Sequence, residues 1–504
     1  MKLWLREENW PWSPEKYRFP AEQMLLTLFP GQRPEYPESL SPKEDGVTVT
    51  LRRGPELAQV RALVRLGERQ GRGEASFPAE ELDRRWEQVY HTVSHALKQA
   101  FYQAGTALLG RELPWGSLTG VRPVKLPTRA MAAGKTPQEA ERGLREVYRV
   151  SPPRAALAVE CAQAALEVQR ELDKDSLALY IGIPFCPTRC AYCSFISADV
   201  KRSLSLVEPY VDALCKEIRL AGRLLREEGL HISCAYMGGG TPTTLSAEQL
   251  HKVLSSVENF LPMERCAEFT VEAGRPDTIT PDKLGTLKKH GIHRISINPQ
   301  TMEAHVLRAM GRAHTPAEIV EAMAMAKEHF GGLVNMDLIA GLPTDSLEGF
   351  SRTLDQVLAM GPANVTVHTL ALKKGSRLIE EGGELPARST VEAMLELASA
   401  RLRGAGCSPY YLYRQKYMSG SFENVGWTKP EAVCAYNIVM MEELQTVLSL
   451  GAGGITKLVD PDQRKILRLN NPKYAKEYLD SWDKVAEGKR AAARFQGELS
   501  RRKG

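Results

Sequence analysis

The 504-residue chain has no run of 18 or more apolar residues, so no segment is expected to span a membrane. Its first residues, MKLWLREENWPWSPEKY, lack the continuous apolar core of a secretory signal, and a cytoplasmic setting is expected. A basic block is missing too. The formal net charge of +5 is small and dispersed, which points away from a nucleic-acid partner. Of nine cysteines, Cys161, Cys215, Cys234, Cys266, Cys407 and Cys434 stand singly in apolar or helical surroundings, as small core residues do. The ten histidines form no clear haem-binding motif; His91 and His95, one helical turn apart, read as a polar helix face. What remains, 43% hydrophobic and 25% charged, is a globular chain long enough for two or three domains.

Residues 1–170 read as an accessory α+β region, with a strand at Val47 to Leu51 and helices near 86–109, 137–147 and 152–172. From Leu177 the rhythm changes. Apolar, β-prone runs recur at 177–183, 232–237, 268–273, 294–299, 334–340 and 364–370, with helical patterns between them. Strands alternating with helices imply parallel βαβ units, and nearly continuous apolar strands imply cover on both faces. Six units are too few for a closed eight-unit barrel. The expected α/β fold is therefore a partial (β/α)6 TIM-type barrel over 171–380, with a mostly helical extension over 381–504 completing the substrate site. In such folds chemistry collects at the carboxyl ends of the strands. The Gly-rich LSLGAGGITKL (448–458) reads as tight packing rather than phosphate binding.

The other three cysteines are bunched. YIGIPFCPTRCAYCSF (180–195) places Cys186, Cys190 and Cys193 in a C-x3-C-x2-C spacing just after the first strand. Random placement of nine cysteines would yield that spacing about 0.003 times. Structural zinc needs four closed ligands, and no second cysteine pair is evident. Three thiolates on a [4Fe–4S] cluster leave one iron open, which suits ligand binding.

This loop resembles that of the radical S-adenosylmethionine enzymes, and the longer string is similar to the oxygen-independent coproporphyrinogen III oxidase/dehydrogenase family, HemZ branch. The resemblance covers about 177–380 most fully. It implies that S-adenosylmethionine chelates the open iron through its amine and carboxylate. One electron then cleaves it to methionine and a 5′-deoxyadenosyl radical. By the same resemblance Tyr180 contacts the cofactor and Tyr192 lies beside adenine. Gly239, Gly240 and Thr241 match the family's GGGTP element after the second strand. Glu272, Gln300, Arg312 and Asp337, following strands three to five, bind the methionine and ribose parts, with Arg312 expected on the helix after Gln300. Ala371, past the sixth strand, makes a backbone contact. One or two S-adenosylmethionine molecules are implied, and no catalytic residue beyond the cluster and cofactor.

The family usually reads Y-x-H-I-P-F-C, where this chain has Gly182 in place of the imidazole, and it can carry a further cysteine where this chain has Phe195. The implied reaction is oxidative decarboxylation of two propionates of coproporphyrinogen III, giving the vinyls of protoporphyrinogen IX. An electron donor such as flavodoxin or ferredoxin is implied as a partner. Arg122, Lys125, Lys373, Lys374 and Arg414 are candidates to meet the substrate's four carboxylates. Alternative readings are a haem chaperone and a radical enzyme acting on another tetrapyrrole.

Overall fold

The computed structural model describes residues 1–502 except 42, 194–197, 201–202, 372–377, 379–384, 416–421 and 461–464. Lys373, Lys374 and Phe195 lie outside the described residues. The chain divides into two compact units, the first built on Met1–Val159 and the second on Glu160–Ser419 and Glu423–Gly504.

In the first unit four strands, Leu3–Glu8, Gly46–Arg53, Leu57–Leu66 and Arg69–Pro78, pair in sequence order, the first two parallel and the rest antiparallel. Strict alternation builds its core. Val47, Val49, Leu51, Val60 and Val64 are buried, while Arg52 and Arg61 on the other face are exposed. Helices Arg18–Leu28 and Trp86–Leu109 cover the apolar face with Met24, Leu25, Leu97 and Phe101. Sequence patterning found only the second of these strands, because the other three are interrupted by charged and polar residues such as Arg6, Glu7, Arg61, Arg72 and Glu74 and have few apolar runs.

The second unit contains an eleven-stranded sheet. Its centre is six consecutive parallel strands: Ser176–Ile183, His231–Gly239, Glu268–Gly274, Arg294–Ile297, Leu333–Ala340 and Asn364–Thr369, called here the first to sixth barrel strands. Each falls where the apolar runs place it. The expected partial α/β barrel is thus present, with helices such as Leu204–Glu227, Ala247–Phe260 and Leu347–Met360 between the strands. Several start with a side-chain cap: Ser246 accepts from Gln249 N, and Thr315 from Glu318 N.

The sheet runs past the six in both directions. Beyond the sixth strand lies Asn424–Thr428, antiparallel to it, and then Ser408–Tyr413, antiparallel to Asn424–Thr428. Beside the first strand Val447–Leu450 adds in parallel, followed by the hairpin Ile455–Asp460 and Lys465–Asn470. So the end of the chain contributes strands to the same sheet as well as the helices Ala475–Asp480 and Trp482–Arg501. The Gly-rich turn after Val447–Leu450 leads into a strand, not a helix, and is not a phosphate loop. It packs tightly instead. Gly451 has φ +86°, and a Cβ there would stand 2.4 Å from the Gly182 carbonyl oxygen. A Cβ at Gly182 would stand 3.0 Å from the Ala452 oxygen. The backbone of the Gly-rich turn fills the space that a larger residue at position 182 would need. No helix among the described residues is long and apolar enough to cross a membrane.

Candidate functional site at the carboxyl ends of the barrel strands

The first barrel strand delivers the cysteine loop to its carboxyl end. Cys186, Cys190 and Cys193 are all half-buried and free of disulfides. The Cys193 N–H donates to the Cys190 carbonyl at 3.2 Å, and Ala191 N donates to Met310 O at 3.0 Å, closing the loop against the chain after the fourth strand. The turn after the second strand lies along the loop's entry. Gly240 N donates to Ile183 O and Thr241 N to Phe185 O, each at 2.7 Å, and the Thr241 hydroxyl stands 3.6 Å from the Cys186 sulfur. A Cβ at Gly240 would be 2.3 Å from Phe185 O, so only glycine permits this approach. With the N–H groups of Gly240 and Thr241 spent on the loop, what these two residues offer a ligand is carbonyl oxygens and a hydroxyl. That suits an ammonium.

Glu272, two residues before the end of the third strand, accepts hydrogen bonds from the Tyr236 hydroxyl and, at 3.0 Å, from Asn298 Nδ2. Burial and the facing Asp337 raise its carboxyl to about 7. Asp337 lies within the fifth strand rather than at its end, 3.4 Å from His368 Nε2 on the sixth; the other His368 ring nitrogen is 3.4 Å from the Tyr413 hydroxyl. Gln300 takes a left-handed φ of 66°. Its backbone is clamped to the fifth strand, with its N–H donating to Asp337 O at 2.9 Å and its carbonyl accepting from Ile339 N at 3.0 Å. A non-glycine residue held there costs on the order of 1 kcal/mol and marks a backbone fixed for a purpose.

Arg312 joins the loop to this group. Its Nε donates to the Tyr192 hydroxyl at 3.2 Å and its Nη1 to Asn298 O at 2.6 Å, and the charges of Tyr192 and Cys190 favour its protonated form. Arg312 was expected on a helix. The helix Ala304–Ala309 stops before Gly311, with φ +67°, and the next begins at Pro316, so Arg312 lies in the intervening loop. A loop lets its side chain turn back to the cysteines. Tyr180 is half-buried with its hydroxyl facing Gly239, and burial pushes its phenol well up. Ala371 follows two residues after the sixth strand and is half-buried.

Motif reading passed over Tyr236, Asn298, His368, Tyr413, Arg275 and His314. None belongs to a spaced motif; only their common position at the strand ends marks them. His314 is 3% exposed, and neither ring nitrogen has a hydrogen-bond partner among the described residues. Burial and the guanidiniums of Arg312 and Arg275 push its imidazole down to about 4, so it is neutral.

The residues present suit an iron–sulfur cluster and a cationic, polar cofactor. Three free thiols share one loop. Two carboxylates, Glu272 and Asp337, face each other with His368 beside them. The acceptors Asn298 Oδ1 and Gln300 Oε1 are buried without a partner among the described residues. Buried acceptors of this kind cost about 1–3 kcal/mol each until a donor arrives. An ammonium and ribose hydroxyls are such donors.

Among the described residues the single His/Cys/Asp/Glu group whose three ligand atoms all lie within 4.8 Å of one another is Asp173, Asp175 and His231, at the opposite ends of the strands. Arg265 stands 3.5 Å from Asp173 and already supplies the positive charge. The Arg414 side chain, following the Tyr-rich strand, is 7% exposed, and burial lowers it to about 10. Arg122 and Lys125 are half-buried and belong to the first unit.

Comparison with known proteins agrees with the class that this fold and site define. The radical SAM superfamily profile matches residues 180–357. The chain is 37% identical to the oxygen-independent coproporphyrinogen-III oxidase-like protein HemZ of Bacillus subtilis (strain 168), over 80% of this chain and 81% of that one. It is 28% identical to the heme chaperone HemW of Escherichia coli (strain K12), over 60% and 75%. The solved structure of coproporphyrinogen III oxidase (HemN) from Escherichia coli is similar with a TM-score of 0.50 and 24% identity, covering 64% of this chain and 72% of that one. This chain belongs to the oxygen-independent coproporphyrinogen-III oxidase-like family of radical SAM proteins. Membership implies a [4Fe–4S] cluster and S-adenosylmethionine.

Proposed function

We propose that the protein oxidatively decarboxylates two propionate side chains of coproporphyrinogen III to the vinyls of protoporphyrinogen IX. Cys186, Cys190 and Cys193 would hold the cluster. Tyr180, Tyr192, Gly239, Gly240, Thr241, Glu272, Gln300, Arg312, Asp337 and Ala371 would hold one or two molecules of S-adenosylmethionine. Held there, the cluster and S-adenosylmethionine would supply the radical chemistry that removes a hydrogen from the propionate β-carbon, and the substrate would then lose carbon dioxide and pass one electron to an external one-electron acceptor. A low-potential carrier such as flavodoxin or ferredoxin would deliver the initiating electron.

One observation carries the reading: an unbroken chain of hydrogen bonds from Tyr192, within the cysteine loop, through Arg312 and Asn298 to Glu272, which faces Asp337. The proposed cluster ligands and cofactor ligands would thus share one site. Within it the chain's own groups have separate tasks. The carbonyls of Gly239 and Gly240 and the Glu272 carboxylate bind an ammonium. The Arg312 guanidinium meets a carboxylate. Asp337 accepts from ribose hydroxyls. Arg414 would receive a substrate carboxylate.

Likeness to heme chaperones supports a second reading, in which the protein carries haem. Reconstituting the cluster anaerobically and adding S-adenosylmethionine, a reductant and coproporphyrinogen III separates the two. The proposed function requires 5′-deoxyadenosine and protoporphyrinogen IX together. Deoxyadenosine without the vinyl product would reject this substrate, and tight haem binding with neither product would establish the chaperone. Cys190→Ala is expected to abolish cluster uptake and all cleavage.

A further inference from the structure

The cysteine loop has a brace that its cluster role does not by itself explain. Between Cys186 and Cys190 the chain has only Pro187, Thr188 and Arg189 to set the separation of two thiols. Thr188 is held from outside the loop. Arg275 Nη1 donates to the Thr188 hydroxyl at 2.6 Å and is 3.5 Å from its carbonyl oxygen. Arg275 is 3% exposed, and Asp277 takes its Nε and Nη2 at 2.9 and 2.8 Å, a bidentate pair that fixes the plane of the guanidinium.

The base of this brace is itself locked. Thr278 N and its hydroxyl both donate to Arg275 O, at 3.1 and 2.9 Å. The Thr278 hydroxyl bonds that of Thr243 at 2.6 Å, in the turn after the second strand. Lys283 Nζ donates to the carbonyls of Thr243 and Thr278, at 2.6 and 3.0 Å. Two strand-end turns are thereby tied together, and Arg275 projects from them with only one end of its guanidinium uncommitted to the platform. That end holds Thr188.

We propose that Arg275 is a positioning residue for the cluster: by holding Thr188 it sets the Cys186–Cys190 span before the cluster arrives. This rests on the cluster reading above. A loop of three intervening residues has many conformations, and ordering them costs conformational entropy. A preset loop avoids that cost on assembly and resists opening afterwards. Asp277 neutralises Arg275, so the effect is one of geometry and not of added charge.

The test compares wild type, Arg275→Ala, Thr188→Val and Thr188→Ser after anaerobic reconstitution. Iron per chain, the electron paramagnetic resonance spectrum of the reduced cluster, and the rate of iron loss to a chelator are measured. Arg275→Ala and Thr188→Val are expected to lose iron several-fold faster and to give an altered, broader spectrum, while Thr188→Ser, keeping the hydroxyl, behaves as wild type. Wild-type rates and spectra in both disruptive variants would overturn the proposal, as would failure of serine to rescue. Should Arg275→Ala not fold, Thr188→Val decides, since it removes one hydroxyl from a half-buried loop. Wild type that takes up no iron would refute the cluster reading itself, a result distinct from equal behaviour of loaded variants.

Discussion

Two groups of buried polar side chains in the second unit differ in how completely they satisfy one another. Around Glu217, which is fully buried, every group is paired. Its carboxylate accepts from the Tyr478 hydroxyl at 2.6 Å, Gly451 N at 2.7 Å and Asn471 Nδ2 at 3.0 Å, with Lys489 Nζ at 3.2 Å. Lys489 also donates to Asn471 Oδ1 at 3.1 Å. This network ties the last helix and the Gly-rich turn to the helix after the cysteine loop. At the strand ends, by contrast, Asn298 Oδ1, Gln300 Oε1 and both His314 nitrogens are left without partners among the described residues, and two carboxylates face each other. Closed networks hold a fold together, while open ones await a ligand.

That contrast can be broken most directly at Glu217. Glu217→Ala strands Lys489 in the interior and is expected to cost about 3–5 kcal/mol in urea unfolding. Glu272→Ala should cost far less stability but most of the cofactor affinity; equal stability losses would erase the distinction. Next in size, Gly451→Ala should destabilise by about 2 kcal/mol or more, because it combines a disfavoured φ with a backbone clash, and Gly182→Ala by less. Melting temperatures rank the two.

A smaller effect concerns pH. Glu272 is raised from 4.5 to about 7 in the folded chain, so the folded state holds its proton longer than the unfolded state. Stability of the ligand-free protein should therefore fall as pH rises from about 4.5 to 7, and Glu272→Gln should flatten that slope in thermal melts. Affinity for S-adenosylmethionine should move the other way, strengthening as pH passes 7 and the carboxylate ionises. Titration calorimetry across that range checks the sign, and Glu272→Gln should weaken binding about tenfold, the equivalent of one 1.4 kcal/mol interaction. Least affected is the exposed group at the far strand ends: Asp173→Asn should shift stability by no more than about 1 kcal/mol.

Local pattern determined much of this protein. The six barrel strands lie where β-prone runs alternate with helical ones, since burial on both faces demands continuous apolar residues. The three cysteines were legible because their spacing is improbable and their chemistry narrow. Tertiary structure alone decided the rest. Tyr236, Asn298, His368 and Arg275 acquire meaning only when parallel strands bring their ends together, because each bonds a residue 26 to 87 positions away or, for His368, stands beside one on the neighbouring strand. Val447–Leu450 joins the sheet by pairing with the first strand, a partner too distant for local periodicity to reveal. Arg312 reaches Tyr192 because a helix ends early at Gly311. Cysteine spacing is a local, covalent fact, whereas the surroundings of those cysteines are made by non-local packing.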